Sequence, residues 1–177
     1  MRFLKRFIKM NNWPAIIDSL KEGSDVTVDP ARWNLDNPEY NKIHNTWKEA
    51  NFNFNAIKWT NYYPSVHFSE DVVNQQLKYL KIKHVHRAWI SKLDPGYMAP
   101  WHWDVDDNEE EYLKHGLITR YTIMIEKMEP GHILIVGNNH YYNQPKDTII
   151  KWTNYKEWHS GINSGMKPSY MFHILGS

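Results

Sequence analysis

From about His84 to the end of the chain, apolar and polar side chains alternate with a period of two, and turn residues interrupt the pattern every few positions. His86–Leu93 reads as a strand, Asp94-Pro95-Gly96 turns it, and Tyr97–Asp104 is the next strand. Leu117–Glu126, His132–Val136, Asn139–Tyr142, Asp147–Trp152, Trp158–Asn163 and Ser169–Leu175 follow as strands. Glu129-Pro130-Gly131, Gly137-Asn138, Gln144-Pro145 and Ser164-Gly165 supply the turns between them. Many short strands in series must close on themselves or stack as two sheets to hide their apolar faces, which points to a two-sheet jelly roll. Asp106–Glu111 reads as an acidic loop with room for one helical turn ending near Gly116.

The first half has a helical pattern. Asn12 can cap a helix with Pro14 in its first turn and Gly23 past its end. Asn37-Pro38-Glu39 opens a second helix running toward Ala50. Ser69-Glu70-Asp71 opens a third, with Val72, Val73, Gln76, Leu77 and Leu80 on one stripe. The Trp-, Tyr- and Asn-rich segments between them read as loops or short extended pieces. The expectation is one domain over residues 1–177. Residues 1–83 form a helical support region, and residues 84–177 form a mainly β jelly-roll core with the helices packed on one sheet.

Composition removes several functions. The 177 residues contain no cysteine, which excludes disulfides, Cys-ligated zinc or iron–sulfur sites and a thiol nucleophile. Twenty-one basic and 20 acidic residues give a formal charge of +1, so there is no strong nucleic-acid signal. No apolar run reaches the length of a transmembrane helix. Met1–Met10 carries Arg2, Lys5, Arg6 and Lys9, and Phe3, Leu4, Phe7 and Ile8 would share a helical face. No uninterrupted apolar stretch follows, so this segment reads as a helix packed on the domain in preference to a secretory signal or a membrane-surface anchor. A cytoplasmic location is expected.

The chemistry concentrates in Leu93-Asp94-Pro95-Gly96-Tyr97-Met98-Ala99-Pro100-Trp101-His102-Trp103-Asp104. Alternate side chains of a strand share a face, so His102 and Asp104 point the same way and can take adjacent positions on one metal ion. His159, in Trp158-His159-Ser160-Gly161-Ile162-Asn163, is the candidate third ligand. Two histidines and one carboxylate on one face of an octahedron leave three positions open, the facial triad of non-haem Fe(II) oxygenases. His140, beside a Gly-Asn-Asn turn, reads as exposed. His173 shares a face with Ser169 and reads as an inward supporting group. His84, His86 and His115 read as surface residues. Trp89, Tyr97, Trp101, Trp103, Trp152 and Trp158 flank the site; most read as core, with one or two at a substrate mouth. Strict alternation turns Trp101 and Trp103 away from His102. Asn163 either helps to position substrate or cofactor, or is a hairpin residue before Ser164-Gly165. The run Asp106, Asp107, Glu109, Glu110 and Glu111 reads as a solvated loop that could also attract a basic substrate.

Asp94-Pro95-Gly96 through His102-x-Asp104, followed by His159-x-x-x-Asn163 and a last strand, resembles the Fe(II)/2-oxoglutarate dioxygenases. The pattern is most similar to the aspartyl/asparaginyl β-hydroxylase-like branch of the double-stranded β-helix (cupin-like) oxygenases. It covers residues 86–175. The resemblance implies a double-stranded β-helix, a ferrous ion on His102, Asp104 and His159, and 2-oxoglutarate chelating that iron. Molecular oxygen would then yield an oxidised small-molecule or peptidyl substrate, succinate and carbon dioxide. Some aspartyl/asparaginyl hydroxylases lack the ligating carboxylate, whereas this chain has Asp104.

The chain departs from the pattern at Ser169, where the family places an arginine that pairs with the far carboxylate of 2-oxoglutarate. Two cations could replace it. On the strand Ile118–Glu126, Tyr121, Ile123 and Ile125 form the face expected against the helices, so Arg120, Thr122 and Met124 face the barrel interior. A guanidinium there can grip a carboxylate with two hydrogen bonds. Lys167 is nearer in sequence but sits in a turn, so Arg120 is preferred, with Ser169 offering one hydrogen bond. The departure supports a second reading, a cupin-like metalloenzyme that does not use 2-oxoglutarate; the third is a non-enzymatic jelly-roll binding module in which the histidine cluster is incidental.

Overall fold

The computed structural model describes residues 12–20, 22–27, 38–104, 108–153 and 156–177. The basic segment Met1–Met10 lies outside them. Helix α1 (Trp13–Asp18) starts as expected, but Asn12 makes no side-chain capping bond, so Pro14, which needs no amide partner, carries the first turn. Strand β1 (Ser24–Thr27), helix α2 (Pro38–Glu49), strand β2 (Lys58–Tyr62) and helix α3 (Glu70–Leu80) follow. Ser69 caps α3 by accepting a hydrogen bond from the Asp71 amide at 3.2 Å. Its expected stripe is the buried one, through Val72, Val73 and Gln76.

The remaining elements are strands β3 (Val85–Leu93) and β4 (Met98–His102), helix α4 (Glu109–Leu113), and strands β5 (Thr119–Met124), β6 (His132–Val136), β7 (Asn139–Tyr141), β8 (Ile149–Trp152), β9 (His159–Asn163) and β10 (Ser169–Gly176). They form two antiparallel sheets, in the orders β1-β2-β3-β10-β5-β8 and β4-β9-β6-β7. From β3 onward the chain passes between the sheets, and strands far apart in sequence become neighbours. This winding is a double-stranded β-helix, the jelly roll expected from the strand spacing. Among the described residues no helix is long and apolar enough to cross a membrane.

Strand β5 is buried on both faces. Tyr121, Ile123 and Ile125 meet Trp13, Val72, Val73 and Phe172 on the helix-covered side, where the Trp13 and Phe172 rings lie 5.8 Å apart. Met124 faces inward with Leu134, Val136, Ile150, Trp152 and Met171. Helices therefore seal one face of the large sheet, and its other face lines the barrel. Two turns at the closed end pack so tightly that a Cβ on Gly131 would lie 2.3 Å from the Gly165 amide nitrogen, and Gly131 also has φ +95°.

Two of the short extended pieces of the first half, β1 and β2, extend the large sheet beyond β3. Trp59-Thr60-Asn61-Tyr62 suits a half-buried pleated surface better than a coil. The β2–β3 register sets Thr60 opposite Lys92, Asn61 opposite Ser91 and Tyr62 opposite Ile90. That register brings Asn61 and Trp59 into the wall of the cavity described next.

Candidate metal centre

His102 ends β4 and His159 begins β9, and the two are cross-strand partners. Their ring centroids lie 4.2 Å apart. Asp104 follows two residues after His102, and its Oδ1 is 3.7 Å from His159 Nε2. One potential ligand atom from each of the three residues lies within 4.8 Å of the others, so the group can hold a metal ion. The sequence spacing of the triad thus becomes a spatial cluster because the β4–β9 ladder places the two strand ends side by side.

The histidines are held in a ligand-ready form. His102 Nδ1 is 2.5 Å from the Pro100 carbonyl oxygen, and His159 Nδ1 is 2.9 Å from that of Glu157. A carbonyl only accepts, so each Nδ1 carries the proton and each Nε2 keeps its lone pair. Burial lowers the pKa of His102 and lowers that of His159 well below the ordinary value, with the charges of His102 and Arg120 adding to the effect at His159. Burial alone would raise the Asp104 carboxyl. The Arg120 guanidinium and the two imidazoles outweigh it and hold that carboxyl far below the usual carboxylate range. Two neutral imidazoles and one carboxylate suit a divalent first-row metal.

Arg120, on β5, is 5% exposed. Its Nη1 pairs with Asp104 and lies 2.9 Å from His159 Nε2, while Nη2 is 3.4 Å from His173 Nδ1. The guanidinium packs between Trp89 and Trp152, 5.0 and 5.2 Å from their ring centroids. Its Nε is buried with no hydrogen-bond partner among the described residues. The His159 lone pair suited to a metal is the one Arg120 now engages, so a metal and this guanidinium compete for it.

His173, on β10, supports Arg120 from behind. Its Nδ1 accepts from the arginine, so its Nε2 donates to Ser91 Oγ at 2.8 Å. Thr122 Oγ1 is 3.0 Å from the same Nδ1, and Trp89 stacks on the ring. Burial, then the nearby Arg120 charge, drives the His173 pKa well below the ordinary value.

These groups face a cavity of about 370 Å³, with Trp59, Trp89, Leu93, Trp103, Leu134 and Met171 among its walls. Ser169 is buried and also lines it. Lys167 does not line this cavity; its side chain is 72% exposed and its Nζ lies 3.9 Å from Glu129. Asn163 Nδ2 donates to the Leu93 and Lys167 carbonyls at 2.7 and 2.8 Å, and Oδ1 accepts from the Gly165 amide at 2.9 Å. Of its two sequence readings, these bonds select the turn. His140 is exposed, while His84 and His115 stack at the surface, 4.5 Å apart.

Trp103 corrects the alternation rule. It lines the cavity alongside His102 because β4 ends at His102 and its register shifts between Ala99 and His102. Trp101 instead stacks on Trp158 at 5.9 Å. Wall residues that the sequence did not mark include Tyr40, Trp59, Asn61, Tyr63, Arg87 and Ser91. Tyr40 reaches in from α2; its hydroxyl accepts from the Trp103 amide at 2.9 Å and donates to the Trp103 carbonyl at 3.2 Å. Burial pushes its pKa up to about 12. Of the acidic run, Glu110 and Glu111 lie in the exposed helix α4, and residues 105–107 lie outside the described residues.

No family model matches the sequence, and no curated protein matches it. Solved structures do overlap the fold. A cupin-superfamily sugar phosphate isomerase from Silicibacter pomeroyi is 9% identical, with a TM-score of 0.45, over 91% of this chain and 73% of that one. A predicted oxalate decarboxylase from Thermotoga maritima is 11% identical, with a TM-score of 0.42, over 67% of this chain and 80% of that one. A cupin domain of a transcriptional regulator from Enterobacter cloacae is 12% identical, with a TM-score of 0.39, over 55% of this chain and 85% of that one.

Proposed function

We propose that this chain is an Fe(II)- and 2-oxoglutarate-dependent oxygenase that hydroxylates an amino-acid, peptidyl or other small substrate. The observation that carries the reading is the group His102, Asp104 and His159 on a cavity wall, with both imidazoles neutral and each Nδ1 tied to a backbone carbonyl. Such a donor set would hold a divalent iron and leave coordination positions for co-substrate and oxygen. Bound there, iron and 2-oxoglutarate supply the oxidising chemistry, in which oxygen and 2-oxoglutarate give succinate, carbon dioxide and a hydroxylated C–H carbon.

The chain's own residues would bind, orient and shield. His102, Asp104 and His159 hold the metal. Arg120 offers its Nε, which has no partner among the described residues, and Nη2, with its long bond to His173, as a fork for a carboxylate. Ser169 can donate one hydrogen bond from the cavity floor. Trp59, Trp89 and Trp103 exclude water, which strengthens every charge interaction inside.

One observation favours a second reading. Arg120 already serves Asp104 and His159, and Lys167 points outward, so among the described residues neither of these two cations is held free beside Ser169. A cupin-like metalloenzyme without 2-oxoglutarate fits that arrangement. Titration of 2-oxoglutarate into metal-loaded protein separates the two. Binding that is lost in Arg120→Met, with succinate formed under air but not anaerobically, supports the oxygenase. Metal binding without 2-oxoglutarate binding supports the alternative.

A further inference from the structure

Beside the triad, the cavity wall carries polar groups that the triad does not use. Asn61 is 7% exposed and faces the cavity from β2, yet its Oδ1 accepts no hydrogen bond among the described residues. A buried, unmatched carbonyl oxygen is costly, and it is satisfied most directly by an N–H from a bound molecule. Its Nδ2 is 3.4 Å from Tyr63 Oη, and Arg87 Nη2 donates to the same oxygen at 3.2 Å. The amide, the phenol and the guanidinium therefore form one continuous polar edge. Arg87 also lines the cavity, with its guanidinium 5.2 Å from the Trp89 ring centroid. Ser91, opposite Asn61, accepts from His173, so its own hydroxyl proton remains available to an acceptor.

The edge thus offers one open acceptor beside a cation and a hydroxyl donor. Below it the cavity is aromatic and aliphatic, through Trp59, Leu93, Leu134 and Met171. We infer that this edge is the head-group subsite for a free α-amino acid with an apolar side chain. The ammonium donates to Asn61 Oδ1, the carboxylate seats at Arg87, and the side chain enters the apolar part of the cavity. A residue inside a peptide has neither charge and can make neither of these two contacts. The inference names the substrate class of the reaction site proposed above and rests on that reading.

Calorimetry on the full chain loaded with Mn(II), a redox-silent stand-in, tests it with L-leucine, leucinamide, 4-methylpentanoate and glycine. Metal content and 2-oxoglutarate binding are measured on the same preparation. L-leucine should bind about tenfold or more tightly than leucinamide, which lacks the carboxylate, and than 4-methylpentanoate, which lacks the ammonium. Glycine should also bind more weakly than L-leucine. Arg87→Met should abolish the preference over leucinamide alone, and Asn61→Leu the preference over 4-methylpentanoate alone. Asn61→Asp, which keeps the shape of the side chain, should tighten leucinamide. L-leucine binding no better than the three comparators, or preferences unmoved by these variants, overturns the inference. Metal and 2-oxoglutarate binding without L-leucine binding removes the subsite and leaves the oxygenase reading standing. L-leucine discrimination without 2-oxoglutarate binding does the reverse.

Discussion

Metal-free protein should lose stability steeply on mild acidification, and the loss can be worked from two buried histidines. His159 and His173 are buried and held neutral, with pKa values pushed well below the ordinary one. In the unfolded chain each returns to about 6.5 and takes up a proton as pH falls through that value. The unfolded state then binds more protons than the folded one, so stability falls as pH falls. From pH 7.5 to 5.5 each such group costs about 1.4 kcal/mol, or about 3 kcal/mol for the pair. His102 adds in the same direction, since its pKa is also lowered. Asp104 does not add in this window. Its folded pKa is depressed, so its contribution is fully present above the unfolded value of about 4 and is lost only in stronger acid. The assay is urea unfolding of chelator-treated protein at the two pH values, with His173→Gln as a control that should recover about 1.4 kcal/mol of the difference. Equal stability at both pH values in the unsubstituted protein would refute the neutral buried histidines and, with them, the ligand-ready tautomers.

Other perturbations have equally definite outcomes. Arg120→Met leaves Asp104 without its cation and should destabilise the fold by about 3–5 kcal/mol in the same assay; a change below about 1 kcal/mol would show that the pair is solvated. Phe172→Ala, at a residue with no exposure between helices and sheet, should cost about 3–5 kcal/mol by thermal or urea unfolding. Gly131→Ala combines a positive φ with contact against the Gly165 backbone, and should lower the melting temperature, whereas Gly96→Ala, with open space around it, should lower it less.

The strand series from β3 to β10 was legible because each strand carries its own alternation and its own Pro, Gly or Asn turn. The inward parity of Arg120 followed from the apolar face at Tyr121, Ile123 and Ile125, and that of His173 from the face it shares with Ser169. The pairing of His102 with His159 was only half visible. Spacing puts His102 and Asp104 on one strand, but which distant strand lies beside β4 is a property of the winding. Strand β2 was legible only as a loop or short extended piece, because Asn and Trp interrupt its alternation. Its pairing with β3, which brings Trp59 and Asn61 to the cavity, was not legible because β3 lies in a separate segment. Trp103 was misplaced because alternation stops where β4 ends and its register shifts, which no periodicity reports. Tyr40 lies on a helix whose contact with the barrel mouth is set by tertiary packing.

Metal stoichiometry tests the central claim most directly. Elemental analysis after anaerobic Fe(II) loading and desalting should find one iron per chain in the unsubstituted protein. It should find little in His102→Ala or His159→Ala, and reduced retention in Asp104→Ala, with all variants shown to be folded. Equal iron in the unsubstituted protein and in both histidine variants would contradict the metal centre.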